Sequence, residues 1–133
     1  MTLPPLLSQH PRPLQILLAV VLPAAYGALT GYVLGVSEGT YVVLSVLGVL
    51  GGIFAGFDHV GVREGAARGV LAGLIFGAAI LIAHEIHGAT AKAHLPDPAI
   101  LLVVATTVLG CMFGGLGGYL RGRLMQRSDV PAS

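Results

Sequence analysis

The chain has 133 residues, of which 55% are hydrophobic and only 10% carry a charge. Because a soluble domain has about 25% charged residues, most of this chain lacks a solvated face, which excludes an ordinary soluble domain. The formal net charge of +1 excludes the basic surface expected of a nucleic-acid-binding protein, and the single cysteine, Cys111, excludes an intrachain disulfide.

Four apolar stretches, separated by ionisable residues, are each long enough to predict a membrane-spanning helix of roughly 20 residues. In chain order the predicted helices cover about 14–35, 40–57, 65–87 and 98–120. The predicted fold class is therefore all-α, an integral membrane four-helix bundle, and residues 1–133 form a single transmembrane domain. The loops between the helices are too short to fold into a further domain.

The third predicted helix is unusual, since only the 15 residues from Gly69 to Ala83 are free of ionisable groups. They span about 22 Å at about 1.5 Å per residue, which is less than a hydrocarbon core of about 30 Å. Arg68 at one end, or His84 and Glu85 at the other, must therefore lie at or inside the membrane interface. Either these side chains snorkel to the interface and the bilayer thins locally, or they face a polar cavity.

Basic residues are distributed asymmetrically between the two sides of the predicted bundle. One side carries Lys92 alone, and the other carries six arginines: Arg12, Arg63, Arg68, Arg121, Arg123 and Arg127. By the positive-inside rule, both termini and the loop at 58–64 face the cytoplasm, and the loop at 85–97 faces outward. We expect the chain in the plasma membrane of a bacterium.

The 20 glycines are regularly spaced, because every predicted helix repeats glycine at intervals of four residues. Small residues at this spacing let helix backbones approach closely in lipid, which predicts glycine-zipper packing; a glycine-lined pore is the alternative. Glycine faces on all four helices exceed the needs of one bundle, so we expect a homo-oligomer or a complex with other membrane subunits. The predicted packing glycines are Gly27, Gly31, Gly35, Gly48, Gly52, Gly56, Gly65, Gly69, Gly73, Gly77, Gly110, Gly114, Gly118 and Gly122.

The two halves of the chain resemble each other. Residues 26–35 match 64–73, and residues 46–57 match 108–119. A duplicated two-helix hairpin would insert both copies in the same orientation, so the resemblance predicts a tandem, parallel repeat. The first match falls in the outer half of one helix and the inner half of the other, so the repeats are not fully in register.

Histidines and an aspartate gather at the predicted outer end of the third helix. His84 and His87 share a helix face, and His94 and Asp97 follow in the loop. Three imidazoles and a carboxylate are suitable ligands for zinc, nickel or cobalt, so these four residues predict a divalent-metal site. Two other interpretations stay open: polar residues that end the helix and solvate the loop, and a pH-responsive histidine cluster.

Charged residues also surround the predicted cytoplasmic loop between the second and third helices. Ion pairs in a solvated turn, each worth about 0–1 kcal/mol, are the simpler interpretation. The functional interpretation is an entry site for protons or ions, with Arg68 held at membrane depth by Glu64 one turn earlier. The candidate pathway residues at the two ends of the third helix are Asp58, His59, Glu64, Arg68 and Glu85.

The sequence contains no motif for nucleophilic catalysis or nucleotide binding, so we do not expect an enzyme. The first functional hypothesis is permeation of protons or a small ion by an oligomeric channel or a small transporter. The alternative is a non-catalytic accessory or assembly subunit of a larger membrane complex. In both cases the expected surroundings are the lipid bilayer and membrane subunits, with no nucleic acid and no cofactor beyond the metal at the histidines.

Overall fold

A computed structural model describes residues 5–128, and every regular element among them is helical. A 3-10 turn at Leu7–Gln9 precedes four long helices. These helices are α1 at Arg12–Leu34, α2 at Glu38–Phe57, α3 at Val62–His87 and α4 at Ile100–Ser128. All four are long and apolar enough to cross a membrane, which confirms the prediction of four packed apolar helices.

Every helix extends beyond one of its predicted limits, by two residues at the start of α1 and of α2 and by more in α3 and α4. α3 begins at Val62 rather than at residue 65, so Arg68 lies about 9 Å along the helix axis from its first residue. α4 continues past residue 120 to Ser128, because the arginines, leucine, methionine and glutamine that follow residue 122 favour a helix. Both extensions place charged residues on regular helix rather than in loops.

The bundle has two ends, which we name by what they carry. The termini end holds the beginning of α1, the α2–α3 loop and the end of α4. The histidine end holds the α1–α2 turn, the end of α3 at His87 and the beginning of α4. Gly61 and Gly88, with φ angles of 99° and 71°, flank α3 in the left-handed region that favours glycine.

α1 is not a uniform α-helix, because Leu17–Val21 has π-helical geometry between two α-helical segments. The cause is Pro23, which has no N–H to donate one turn back. The backbone N–H of Leu22 instead donates five residues back, to the carbonyl of Leu17. The Leu18 carbonyl would take its hydrogen bond from Leu22 in an α-helix or from Pro23 in a π-helix, so no helical donor remains for it.

α3 is the central helix of the bundle. It packs antiparallel to α4 and parallel to α1. α2 runs parallel to α4 and packs mainly against that helix. α1 and α2 contact each other less, and where they meet the hydroxyl of Tyr26 donates a 2.8 Å hydrogen bond to the Leu44 carbonyl. From that point toward the termini end, a cavity separates α1 from α2.

The backbones of α3 and α4 approach closely at glycines. A Cβ at Gly69 would lie 2.6 Å from the carbonyl carbon of Gly110, and a Cβ at Gly114 would lie 2.8 Å from the Cα of Gly69. These distances are too short for a real Cβ, so both positions require glycine. Thr106 joins the same two helices, since its Oγ1 donates a 2.8 Å hydrogen bond to the Gly73 carbonyl.

The large buried side chains concentrate in the half of the bundle at the histidine end. Leu34, Tyr41, Phe76 and Ile80 form a hydrophobic cluster there. On the outside, large apolar side chains are exposed, and Phe54 reaches 77% exposure. Helices that are apolar all round suit a lipid environment. The apolar core therefore lies in one half of the bundle, while the cavity between α1 and α2 lies in the other.

Candidate functional site

A cavity of about 560 Å³ lies in the half of the bundle at the termini end, mainly between α1 and α2. All four helices contribute to its lining, and its walls are mostly apolar, with Leu18 and Phe54 among them. The charged side chains that line it are Asp58, at the end of α2, and Arg68, on α3. An apolar, half-open cavity lined by one cation and one carboxyl group needs an explanation for the placement of these two charged groups.

Arg68 is the buried cation of this cavity, with only 6% of its surface exposed. Its Nη2 donates a 3.0 Å hydrogen bond to the carbonyl of Leu18 on α1. The Nε and Nη1 groups are buried and have no hydrogen-bond partner among residues 5–128. A guanidinium carries five N–H donors, so three of them lack an acceptor within residues 5–128, while protein atoms cover both nitrogens.

The acceptor on α1 exists because of the sequence around the π-helical segment. Pro23 removes the donor that the Leu18 carbonyl would otherwise have, and Arg68 supplies the missing donor from α3. A carbonyl left unpaired in an apolar setting costs about 1–3 kcal/mol, so each group satisfies a need of the other. This bond ties the irregular part of α1 to the middle helix at the edge of the cavity.

Asp58 follows the last residue of α2 and is half-buried beside the cavity. Burial raises the pKa of its carboxyl group above the ordinary value of 3.8. The positive charge of Arg68 opposes that rise, with smaller contributions from the other cations nearby, and desolvation prevails. The backbone carbonyl of Asp58 accepts a 3.1 Å hydrogen bond from the N–H of Leu7, so the N-terminal turn packs against this point.

Arg121 is a second buried arginine, although its place near the predicted end of the fourth helix indicates only a charge at the membrane surface. It is 4% exposed, and its guanidinium carbon lies 5.3 Å from the ring centroid of Phe57. Its Nε and Nη1 have no hydrogen-bond partner in the described part of the chain. A signal was available, because Arg121 lies three residues after Gly118 and so shares the glycine face of α4.

The structure separates the five predicted pathway residues. Asp58 and Arg68 line one cavity, and His59 lies half-buried next to Asp58. Glu64 is exposed and does not hold Arg68, whose hydrogen bond goes to α1 instead; the predicted partner was wrong. Glu85 lies at the opposite end of α3, exposed at the surface.

The predicted metal ligands lie at the histidine end without converging. The ring of His87 packs against Tyr32, with centroids 4.3 Å apart, while His84 is half-buried and His94 and Asp97 are exposed. Within residues 5–128, no three histidine, cysteine, aspartate or glutamate side chains lie together as a metal site requires. A divalent-metal site at these residues stays a prediction that this arrangement does not support.

Most of the predicted packing glycines face another part of the same chain at distances that leave no room for a Cβ. The exceptions are Gly52 and Gly122, where a Cβ would lie 3.5 Å from Phe113 and 3.8 Å from Gly61. Because the close contacts are intramolecular, the glycines do not by themselves require a second copy of the chain. The closely packed ones are Gly27, Gly31, Gly35, Gly48, Gly56, Gly65, Gly69, Gly73, Gly77, Gly110, Gly114 and Gly118.

Toward the histidine end the cavity is bounded by Phe76, which belongs to the hydrophobic cluster. A second cavity of about 390 Å³ lies beyond it, between α2 and α4, and shares Val49, Phe76 and Thr106 with the first. No charged side chain among residues 5–128 lines this second cavity. The charged groups that line these two cavities therefore lie on one side of Phe76.

Comparisons with protein-family models, with curated proteins and with solved structures find no match to this chain. Function is therefore inferred from the cavity and its charged residues. The two features that separate this cavity from an ordinary packing gap are the buried guanidinium and the half-buried carboxyl group beside it.

Proposed function

We propose that the chain mediates permeation of protons or a small ion across a membrane, as a small transporter that binds its substrate in the cavity at Arg68. One observation carries the proposal: a guanidinium that is 6% exposed lines an apolar cavity and keeps two nitrogens without a partner among residues 5–128. Ionisable groups within membrane-spanning helices are costly, and they commonly mark an ion or substrate pathway.

The choice of an arginine, rather than its energetic cost, supports a functional role for this position. An arginine at the centre of a membrane helix costs about 2.5–3.5 kcal/mol on insertion scales, and Arg68, about 9 Å from the first residue of α3, lies short of that centre. One hydrogen bond from a charged group returns about 1.5–3 kcal/mol, so the bond to Leu18 is enough to offset the placement of Arg68. A neutral donor would satisfy the same carbonyl, whereas a permeant anion needs a positive charge to bind.

The closed half of the bundle favours a transporter over an open channel. The hydrophobic cluster at Phe76 separates the charged cavity from the histidine end, so an ion bound at Arg68 would need a conformational change to leave on that side. Helices that rock around a fixed central site provide such alternating access. In this proposal the termini end faces the cytoplasm of a bacterial cell, as the arginine asymmetry predicts.

An accessory subunit of a larger membrane complex is the second candidate, supported by the outer surface of α2. This helix exposes a continuous apolar face that includes Val43, Leu47 and Phe54, and the last two also form the open rim of the cavity at Arg68. A neighbouring membrane protein would fit such a face as well as lipid does.

We also attribute the tight α3–α4 contacts to a glycine zipper within one chain. Homo-oligomerisation and a repeat of two hairpins remain separate predictions.

Flux through purified protein in liposomes tests the permeation proposal. We expect ion or proton flux above empty liposomes, reported by a pH-sensitive or potential-sensitive dye, and its loss in Arg68→Gln. Arg123→Gln is the matched control, because Arg123 is exposed and, within residues 5–128, its hydrogen bond goes to Tyr119 on its own helix. Absence of flux from the folded wild-type protein under both dyes would favour the accessory-subunit candidate.

A further inference from the structure

We infer that the cavity at Arg68 binds an organic oxyanion with an apolar body, typified by a monocarboxylate, together with one proton on Asp58. This inference rests on the proposed permeation function and names the substrate class of the same site. It follows from the size and walls of the cavity, from the partnerless donors of Arg68, and from the charges that surround Asp58.

The size and walls of the cavity determine the kind of molecule. Its volume of about 560 Å³ falls within the range of about 300–1,000 Å³ that small-molecule sites occupy, and it exceeds what a bare inorganic ion fills. Leu18, Leu22 and Phe54 offer no polar group to a hydrated ion. An apolar body fits such walls, and one charged head group suits the polar edge of the cavity.

The sign of the head group follows from Arg68. Three of its N–H donors have no acceptor among residues 5–128, and guanidinium donors pair best with carboxylate, sulfonate or phosphate oxygens. The groups that act on Asp58 from the surrounding elements are Arg68, His59, His10 and Arg121, and none of them is acidic. The site therefore lacks negative charge whenever Asp58 is protonated.

Asp58 connects oxyanion binding to a proton. As a carboxylate, Asp58 neutralises the positive charge of Arg68. Once Asp58 is protonated, that charge is no longer neutralised and attracts the oxyanion. The proton comes from solution to a carboxyl oxygen of Asp58, and the oxyanion comes from solution to the donors of Arg68. The O–H bond is the only covalent bond formed, and one proton with one monoanion is an electroneutral pair. By linkage, each of the two ligands raises the affinity of the site for the other.

Binding measured by calorimetry in nanodiscs of zwitterionic lipid tests this inference without a flux assay. The probes are hexanoate and hexanesulfonate, the second because its head group stays ionised at every pH used. Hexanol and hexyltrimethylammonium have the same apolar chain with no charge and with the opposite charge. We expect both oxyanions to bind and the alcohol and cation to bind at least roughly tenfold more weakly, since a charge-assisted bond is worth about 1.5–3 kcal/mol.

The variants separate the two residues. Arg68→Gln should weaken hexanesulfonate binding roughly tenfold or more, Arg68→Lys should weaken it less, and Arg123→Gln should leave it unchanged. The affinity of the wild type for hexanesulfonate should rise as the pH falls from about 8 to about 4. The affinity of Asp58→Asn should be the same at every pH and equal to that of the wild type at about pH 4. If Arg68→Gln does not fold, two measurements still test the inferred site. They are the comparison of anionic and cationic probes on the wild type and the pH profile of Asp58→Asn.

Three results distinguish the explanations. Equal binding of the anionic and cationic probes, or an Asp58→Asn profile that follows the wild type, overturns the inference even if liposome flux is observed. Proton-linked oxyanion binding without flux supports the inferred binding site and contradicts the permeation proposal. Competition by anionic phospholipid added to the nanodiscs keeps the oxyanion site and identifies a lipid head group, rather than a soluble carboxylate, as its source.

Discussion

At the scale of single residues, one proline and one arginine on different helices determine the site. Pro23 converts a turn of α1 to π-helical geometry and leaves the Leu18 carbonyl without a helical donor. Arg68 enters from α3 and donates to that carbonyl at 3.0 Å. The distance along the chain between the two residues hides this relation, because each has an ordinary local interpretation: a tolerated helix kink and an interfacial cation.

The dependence of Arg68 on Pro23 can be measured as a coupling energy. In Pro23→Ala the restored N–H allows a regular α-helix, so Leu22 should take the Leu18 carbonyl and Arg68 should lose its partner. We expect a double-mutant cycle of Pro23→Ala with Arg68→Met, measured by unfolding in detergent, to give a coupling of about 1.5–3 kcal/mol. The same cycle with Arg123→Met in place of Arg68→Met should give no coupling energy. Equal coupling energies in the two cycles would contradict the proposed dependence of Arg68 on Pro23.

Asp58 gives the fold a dependence on pH whose sign follows from its raised pKa. The folded chain binds this proton more tightly than the unfolded chain does, so the stabilisation is complete below the unfolded pKa, near 3.8. It is lost as the pH rises through the folded value. The thermal midpoint should therefore fall with rising pH above about 4 in the wild type, and this fall should shrink in Asp58→Asn.

The control for this measurement is Glu64→Gln, since Glu64 is exposed on the first turn of α3. That variant should keep the wild-type dependence on pH. A profile in which Asp58→Asn and Glu64→Gln behave alike would mean that another group, not the half-buried carboxyl, controls stability in this range.

At the scale of helices, glycine determines which pair packs tightly. α3 and α4 approach at Gly65, Gly69, Gly110 and Gly114, whereas α1 and α2, the corresponding pair of the predicted repeat, are separated by the cavity. The two hairpins therefore differ in packing at the place where the charged residues gather. The opening between α1 and α2 is what gives the bundle a site.

Substitutions at two glycines distinguish a packing contact from an open face. A Cβ at Gly114 would lie 2.8 Å from the Cα of Gly69, while a Cβ at Gly51 would meet no atom of residues 5–128 within 4 Å. We expect Gly114→Ala to destabilise the protein by about 1–3 kcal/mol through overpacking. Gly51→Ala should be neutral or stabilising by up to about 1 kcal/mol, because alanine restricts the unfolded chain. Similar thermal midpoints for the two variants would contradict this account.

The helices themselves follow from the sequence, because apolar length and the spacing of ionisable residues predict them without tertiary information. The closely packed faces of α3 and α4 follow from glycine at intervals of four. The partner of Arg68 does not, since Glu64 one turn away is the obvious acceptor and the actual one is a carbonyl freed by a proline on another helix. The burial of Arg121 was also missed, although its position on the glycine face of α4 indicated it.

At the scale of the whole molecule, the charged cavity and the hydrophobic cluster occupy opposite halves of the bundle. Asp58, Arg68 and the buried Arg121 all lie toward the termini end, and Leu34, Tyr41 and Ile80 fill the histidine end. The side of the membrane to which the charged cavity lies nearer is therefore decided by which end faces the cytoplasm. The excess of arginine at the termini end predicts that this end does.

Cysteine labelling from outside the cell tests that orientation. Thr90 and Val62 lie at opposite ends of the bundle and both are exposed, so a difference in reactivity reports sidedness rather than burial. In a Cys111→Ser background, Thr90→Cys should react with an impermeant thiol reagent in intact cells, and Val62→Cys should react only after permeabilisation. The reverse pattern would place the cavity toward the exterior, so that a proton and an oxyanion would enter the site from outside while the hydrophobic cluster barred the cytoplasmic side.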